Sequence, residues 1–109
     1  MRRAKQGTHR AGYRQVTLLD RRGRVLAYAD SLALSHRTVG LTRASFSPAG
    51  IVRLSAGRER VTVISGGRMV RVLTGLRLTI QTGGMRSRDG TWTCEAAIGT
   101  ISSERRRGV

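Results

Sequence analysis

The chain has 109 residues, enough for one domain with a modest core and too few for two. Hydrophobic residues make up 39% of it and aromatic residues only 4%, so the core must be mostly aliphatic. Twenty-one basic residues stand against six acidic ones, a formal net charge of +15, and Cys94 is the single cysteine, which excludes an intrachain disulfide.

Every basic residue except Lys5 is an arginine. The planar guanidinium suits bidentate contacts to phosphate and carboxylate. The balance therefore points to nucleic acid, anionic lipid or an acidic protein as partner. Arginine enrichment also follows from GC-rich codon usage and by itself names no partner. No apolar run is long enough to span a bilayer. The basic N-terminus is not followed by the apolar segment of a secretory signal, so the expected site of synthesis is the cytoplasm.

Residues 1–13 read as a basic N-terminal arm carrying Arg2, Arg3, Lys5 and Arg10. Residues 14–101 read as a single β domain. It opens with a hairpin over residues 14–30, in which Val16 and Leu18 alternate with Gln15, Thr17 and Leu19, so that both faces carry apolar residues and cover on both sides is expected. Asp20-Arg21-Arg22-Gly23 has aspartate at the first and glycine at the fourth position of a type I turn. Residues 31–37 fit either a short helical turn capped by Ser31 or an extended crossover. Residues 38–46 fit a strand, with Gly40 marking a bulge or a close approach. Ser47-Pro48-Ala49-Gly50 reads as a turn.

The stretch Ile51–Gln81 organises the domain. Four runs rich in Val, Ile, Leu and Thr are separated by dipeptides ending in glycine, the pattern of an antiparallel meander. A two-residue Gly66-Gly67 turn sets Ser65 opposite Arg68, Val63 opposite Val70 and Val61 opposite Val72. A three-residue loop, Leu73-Thr74-Gly75 with Gly75 left-handed, then sets Val72 opposite Leu76. Ala56-Gly57 joins the first pair and sets Val52 opposite Val61. This register gathers Val52, Leu54, Val61, Val63, Val70, Val72, Leu76, Leu78 and Ile80 on a buried face. The other face carries Arg53, Arg60, Arg71 and Arg77, with Arg53 opposite Arg60 and Arg71 opposite Arg77. Like charges so placed repel, and a polyanion or a partner's carboxylates would relieve them. The plain alternative is four side chains fanned into water.

Residues 82–90 read as a long basic loop through Arg86 and Arg88. Residues 91–101 supply a last strand, with Trp92, Cys94, Ala96 and Ile98 on one face and Gly99 a candidate bulge. Residues 102–109 form a basic C-terminal tail with Arg105, Arg106 and Arg107.

No constellation for catalysis stands out. His9 and His36 lie apart from carboxylates or cysteine in any recognised spacing, the six acids are scattered, and no metal-ligand cluster exists. Gly66-Gly67 and Gly83-Gly84 lack the helix and lysine of a phosphate loop. Of the aromatics, only Tyr13 and Tyr28 suit base stacking, so any nucleic-acid binding should rest on backbone neutralisation, with steep salt dependence.

The expectation is an all-β fold, a small antiparallel sandwich or partly closed barrel around the four-stranded meander. The expected function is non-enzymatic: a structural or assembly protein of a larger particle, most concretely a small phage or virion component of the neck, tail or capsid. It would dock through its arms and the arginine face, as a homo-oligomer or beside other subunits. The alternative is a freestanding, sequence-nonspecific nucleic-acid-binding β module. No cofactor and no metal is expected.

Overall fold

The computed structural model describes residues 10–81 and 85–105. Among these the elements run β1 (Arg10–Leu19), β2 (Val25–Ser35), β3 (Thr38–Phe46), α1 (Pro48–Ala56), β4 (Arg60–Ser65), β5 (Arg68–Thr74), β6 (Arg77–Ile80), β7 (Arg86–Arg88), β8 (Thr91–Thr100) and β9 (Ser103–Arg105). Eight strands form one antiparallel sheet in the order β6-β8-β3-β2-β1-β4-β5-β9, and short β7 pairs with the first residues of β8. The sheet is neither a two-sheet sandwich nor a closed barrel. It is open, and two short links join its ends: residues 75–76 lead from β5 to β6, and residues 101–102 lead from β8 to β9. The Ser102 N–H and hydroxyl both donate to the Thr74 carbonyl, at 3.2 Å each.

Turn chemistry explains the hairpins. Between β1 and β2 the Asp20 carbonyl accepts from the Gly23 N–H at 2.9 Å, as the Asp-x-x-Gly signal predicts. Between β2 and β3 the chain turns on His36 and Arg37, both at positive φ (43° and 73°), the conformation of a type I′ turn. Residues 31–35 thus extend β2 and form neither a helical turn nor a crossover. Gly40 pairs in register with Ala33 and Ile98, so it marks no bulge. Asp89-Gly90 makes a third tight turn, with φ of 52° and 76°, and converts part of the expected loop into β7.

Three of the four expected meander strands form, but only Gly66-Gly67 joins neighbouring ones. Ile51–Ser55 is helical. The Ser47 hydroxyl accepts from the Gly50 N–H at 3.0 Å, Pro48 occupies the first turn, and Gly57 closes the helix in the left-handed region. Leu54 is fully buried, and Val52, expected inside, is 68% exposed. Gly50 lets the helix sit directly on β2, because a Cβ there would lie 2.3 Å from the Leu26 carbonyl oxygen. The Gly66-Gly67 hairpin does form, with Ser65 opposite Arg68. A bulge between Val63 and Ile64 then moves the register by one, placing Val63 opposite Arg71 and Val61 opposite Leu73. Leu73, expected in a loop, is fully buried. Gly75 is left-handed as expected (φ 73°), yet it does not reverse the chain into a neighbouring strand. β6 crosses to the far end of the sheet and pairs with β8.

One further feature shapes the sheet. Each of β1, β2, β3 and β8 turns two consecutive residues outward: Arg14-Gln15, Asp30-Ser31, Thr42-Arg43 and Glu95-Ala96. The inward phase then flips, from Ala27 and Ala29 to Leu32 and Leu34 in β2, and from Val39 and Leu41 to Ala44 and Phe46 in β3. The slips are aligned: Arg14 pairs with Ser31, Ser31 with Thr42, and Thr42 with Ala96. They form a crease across four strands, with Gln15 and Arg43 each at φ 51°. It also corrects the expected face of β8, since Trp92 and Cys94 point inward but Ala97 replaces Ala96, and Ile98 is exposed. The bend lets long strands curl around a core of Leu18, Leu32, Val39, Phe46, Val61, Leu73 and Leu76.

Candidate functional site

The structure separates the four arginines expected on one face. Arg53 sits in the last turn of α1 and pairs with Glu59 at 2.7 Å. Arg77 opens β6, and its guanidinium lies over Gly57 at the C-terminus of α1, where the helix dipole favours a cation. Arg60 opens β4, exposed and opposite Thr74. Arg71 lies opposite buried Val63 and is half-buried beside it. The pairs Arg53–Arg60 and Arg71–Arg77 do not exist, because Arg53 is helical and β6 is at the other end of the sheet. Arg10 is in β1 and Arg105 in β9, inside stretches the sequence assigns to the arm and tail. Arg2, Arg3, Lys5, Arg106 and Arg107 lie outside the described residues.

A different set of polar residues comes together on the outer face of β1, β2, β3 and β8. Thr17, Tyr28, Ser45, Thr93 and Arg86 are successive cross-strand neighbours. One row further, in the crease, stand Gln15, Asp30, Arg43 and Glu95. A cleft of about 340 Å³ is lined by Gln15, Thr17, Tyr28, Asp30, Arg43 and Ser45, with Val16 and Ala29 as its floor. A second cleft of about 500 Å³ shares Arg43 and Ser45 and extends over Thr93 and Glu95 to Arg86. Tyr28 is 56% exposed at the centre of this face.

The crease carries one weak ion pair and two residues in left-handed backbone. Arg43 and Asp30 pair at 3.5 Å with both side chains largely exposed, a contact worth on the order of 0–1 kcal/mol. Gln15 and Arg43 hold left-handed backbone inside strands, which costs on the order of 1–3 kcal/mol each for a residue with a Cβ. Both strained residues line the first cleft. Sequence reasoning picked out Tyr28 as an aromatic suited to stacking and missed its neighbours. The signal present was the break in alternation at Arg14-Gln15, Asp30-Ser31 and Thr42-Arg43.

Two titratable groups elsewhere are perturbed for structural reasons. Burial of Asp20 opposes its ionisation, but the Arg24 N–H at 2.8 Å, the Arg24 guanidinium at 2.9 Å and the Arg22 N–H at 2.9 Å outweigh it. Its carboxyl is held below the usual value. Burial pushes the Cys94 thiol up, against a backbone hydrogen bond from Ala44, so it is a poor nucleophile at neutral pH. An apolar cleft of about 290 Å³ lies between α1 and the β6–β8 end, lined by Pro48, Ile51, Val52, Ile80, Met85 and Trp92. Among the described residues no group of three or more His, Cys, Asp or Glu could hold a metal ion, and no helix is long and apolar enough to cross a membrane.

Comparisons with protein-family models, with curated proteins and with solved structures find no match to this chain.

Proposed function

We propose that the protein is a non-enzymatic structural subunit of a larger assembly, most concretely a small component of a phage or virion particle. The observation that carries the reading is the open sheet. β5 pairs with β4 on one side, and on its other side β9 pairs with Val72–Thr74, so among the described residues no strand lies along Arg68–Val70 on that side. Met69 is 40% exposed on that segment. An uncovered strand edge is a template for pairing with another chain. The net charge of +15 makes an acidic neighbour or packaged nucleic acid the complementary surface.

Light scattering behind size exclusion tests this, with species heavier than the 11.9 kDa chain as the expected result. A monomer at every concentration that also ignores polyglutamate and DNA at low salt overturns it. Arg68→Glu addresses the β5 edge, and deletion of residues 1–9 addresses the arm without cutting into β1. The second reading, a freestanding nucleic-acid-binding module, draws support from Arg43 and Arg86 lining two adjoining clefts on one sheet face.

A further inference from the structure

We infer that the crease face around Tyr28 is a binding site for single-stranded nucleic acid, in which one base stacks on the Tyr28 ring and Arg43 takes an adjoining phosphate. The inference rests on the nucleic-acid reading and goes beyond it, since that reading needs only charge and expects no base contact.

Four observations converge on the same few residues. Tyr28 is an exposed ring flanked by buried Ala27 and Ala29, which hold its strand flat against the core while the ring projects outward. An aromatic in such a position offers a face to any base, and base–aromatic stacking needs no particular sequence. Asp30, Gln15 and Ser45 border the ring's cleft. The Asp30 carboxylate accepts from an exocyclic amino group or a ring N–H, and the Gln15 amide both donates and accepts. These are the groups that read base edges when a base is unpaired.

Arg43 supplies the anion contact. Its present partner, Asp30, is 3.5 Å away with both side chains in solvent. A pair so exposed is weak, and a phosphate offers the guanidinium a bidentate alternative. Releasing Arg43 also frees Asp30 to face the base. Arg86 lies three strands from Tyr28 in the same row, at the end of the connected cleft. That separation is about 14 Å at the usual strand spacing, so the face accommodates more than one nucleotide along its length.

The backbone supports the same conclusion. Gln15 and Arg43 keep left-handed conformations in strand interiors, where glycine would be unstrained. Strained non-glycine residues cluster at binding sites when their side chains are needed there. Here both side chains border the cleft of Tyr28. The volume, about 340 Å³, falls within the range of about 300–1,000 Å³ found for ligand sites. Duplex nucleic acid does not fit this chemistry, because its bases are already stacked and cannot reach the Tyr28 ring.

The test is fluorescence anisotropy with a labelled oligonucleotide, single-stranded and as the duplex of the same sequence, at two salt concentrations. The full chain should bind the single strand more tightly than the duplex. Tyr28→Ala should weaken single-strand binding by about 5- to 150-fold and leave duplex binding unchanged, whereas Tyr28→Phe should stay within about 3-fold of the parent because it keeps the stacking face. Arg43→Gln should weaken binding and flatten its salt dependence by about one phosphate contact. Equal affinity for both forms, or a Tyr28→Ala chain that binds like the parent, overturns the site while leaving nonspecific nucleic-acid binding intact. No binding of either form at low salt overturns both. Displacement by polyglutamate as readily as by unlabelled single strand overturns it in favour of an acidic protein partner.

Discussion

Residues 47–57 and residues 60–74 look alike in sequence and fold differently. Both are short runs of Val, Ile and Leu interrupted by arginine and bounded by glycine. The first becomes α1 and the second becomes the β4–β5 hairpin. The ends decide the difference. Ser47-Pro48 satisfies and preorganises a helix start, and Gly57 satisfies its finish. Gly66-Gly67 supplies two consecutive residues at positive φ (64° and 79°), which only a primed hairpin turn requires. The apolar spacing agrees with the ends: Gly50 and Leu54, four apart, are the buried positions of α1, whereas Val61 and Val63, two apart, are those of β4. A run of β-branched residues is therefore a weak guide when its caps say helix.

The contrast can be broken at measurable points. The largest effect is expected in the helix, where Leu54→Ala should cost about 2–5 kcal/mol in chemical denaturation, because it empties a fully buried site. Val52→Ala on the same helix should change stability by less than about 0.5 kcal/mol, and an equal loss at both positions would contradict the helical assignment. Next comes Gly50→Ala. Its Cβ meets the Leu26 carbonyl at 2.3 Å, and backbone cannot step aside as a side chain can, so a loss of about 1–3 kcal/mol is expected.

The hairpin answers to a different substitution. Gly67→Ala places a Cβ at φ 79° in open space, so only backbone strain is felt, about 1–2 kcal/mol. Gly67→Asn should recover most of it, since asparagine tolerates that region. If alanine and asparagine behave alike, the turn is not what holds this hairpin. Ser47→Ala removes the helix cap and should cost about 1 kcal/mol, with no counterpart in the hairpin.

The smallest effect separates these glycine turns from the turn at Asp20, which is the pH-sensitive one. The folded Asp20 pKa lies below its unfolded value, so its contribution is complete above the unfolded value of about 3.9. It is lost as pH falls through the folded value. Thermal melts should show Asp20→Asn less stable than the parent at pH 7, and the gap should close in acid. A gap that does not narrow as pH falls below the unfolded value would mean the carboxylate charge is not what organises the turn.

Most of the β content was readable in the sequence, as were the Asp20–Gly23 turn and the Gly66-Gly67 hairpin with its first pair. Both are local: a few residues contain the donors, acceptors and φ angles that specify them. The bulge at Val63 was not readable, because Val70 and Val72 offered a better apolar match to Val63 and Val61 than the Arg71 and Leu73 that actually face them. The candidate site was legible only as one exposed tyrosine. Gln15, Asp30, Arg43 and Glu95 belong to four strands, and their alignment is a property of register between strands.

Composition and short-range chemistry thus settled that this basic chain forms an antiparallel sheet with tight turns and an aliphatic core. Tertiary structure alone decided that β6 leaves β5 for β8, that the locally capped helix packs on β2 through Gly50, and that the crease aligns across β1, β2, β3 and β8. The reason is one of range. A turn is chosen by the dihedral angles of two residues. A strand's neighbour is chosen by which pairing buries the most apolar surface over the whole sheet, and Leu76 and Leu78 bury theirs only where β6 lies beside β8.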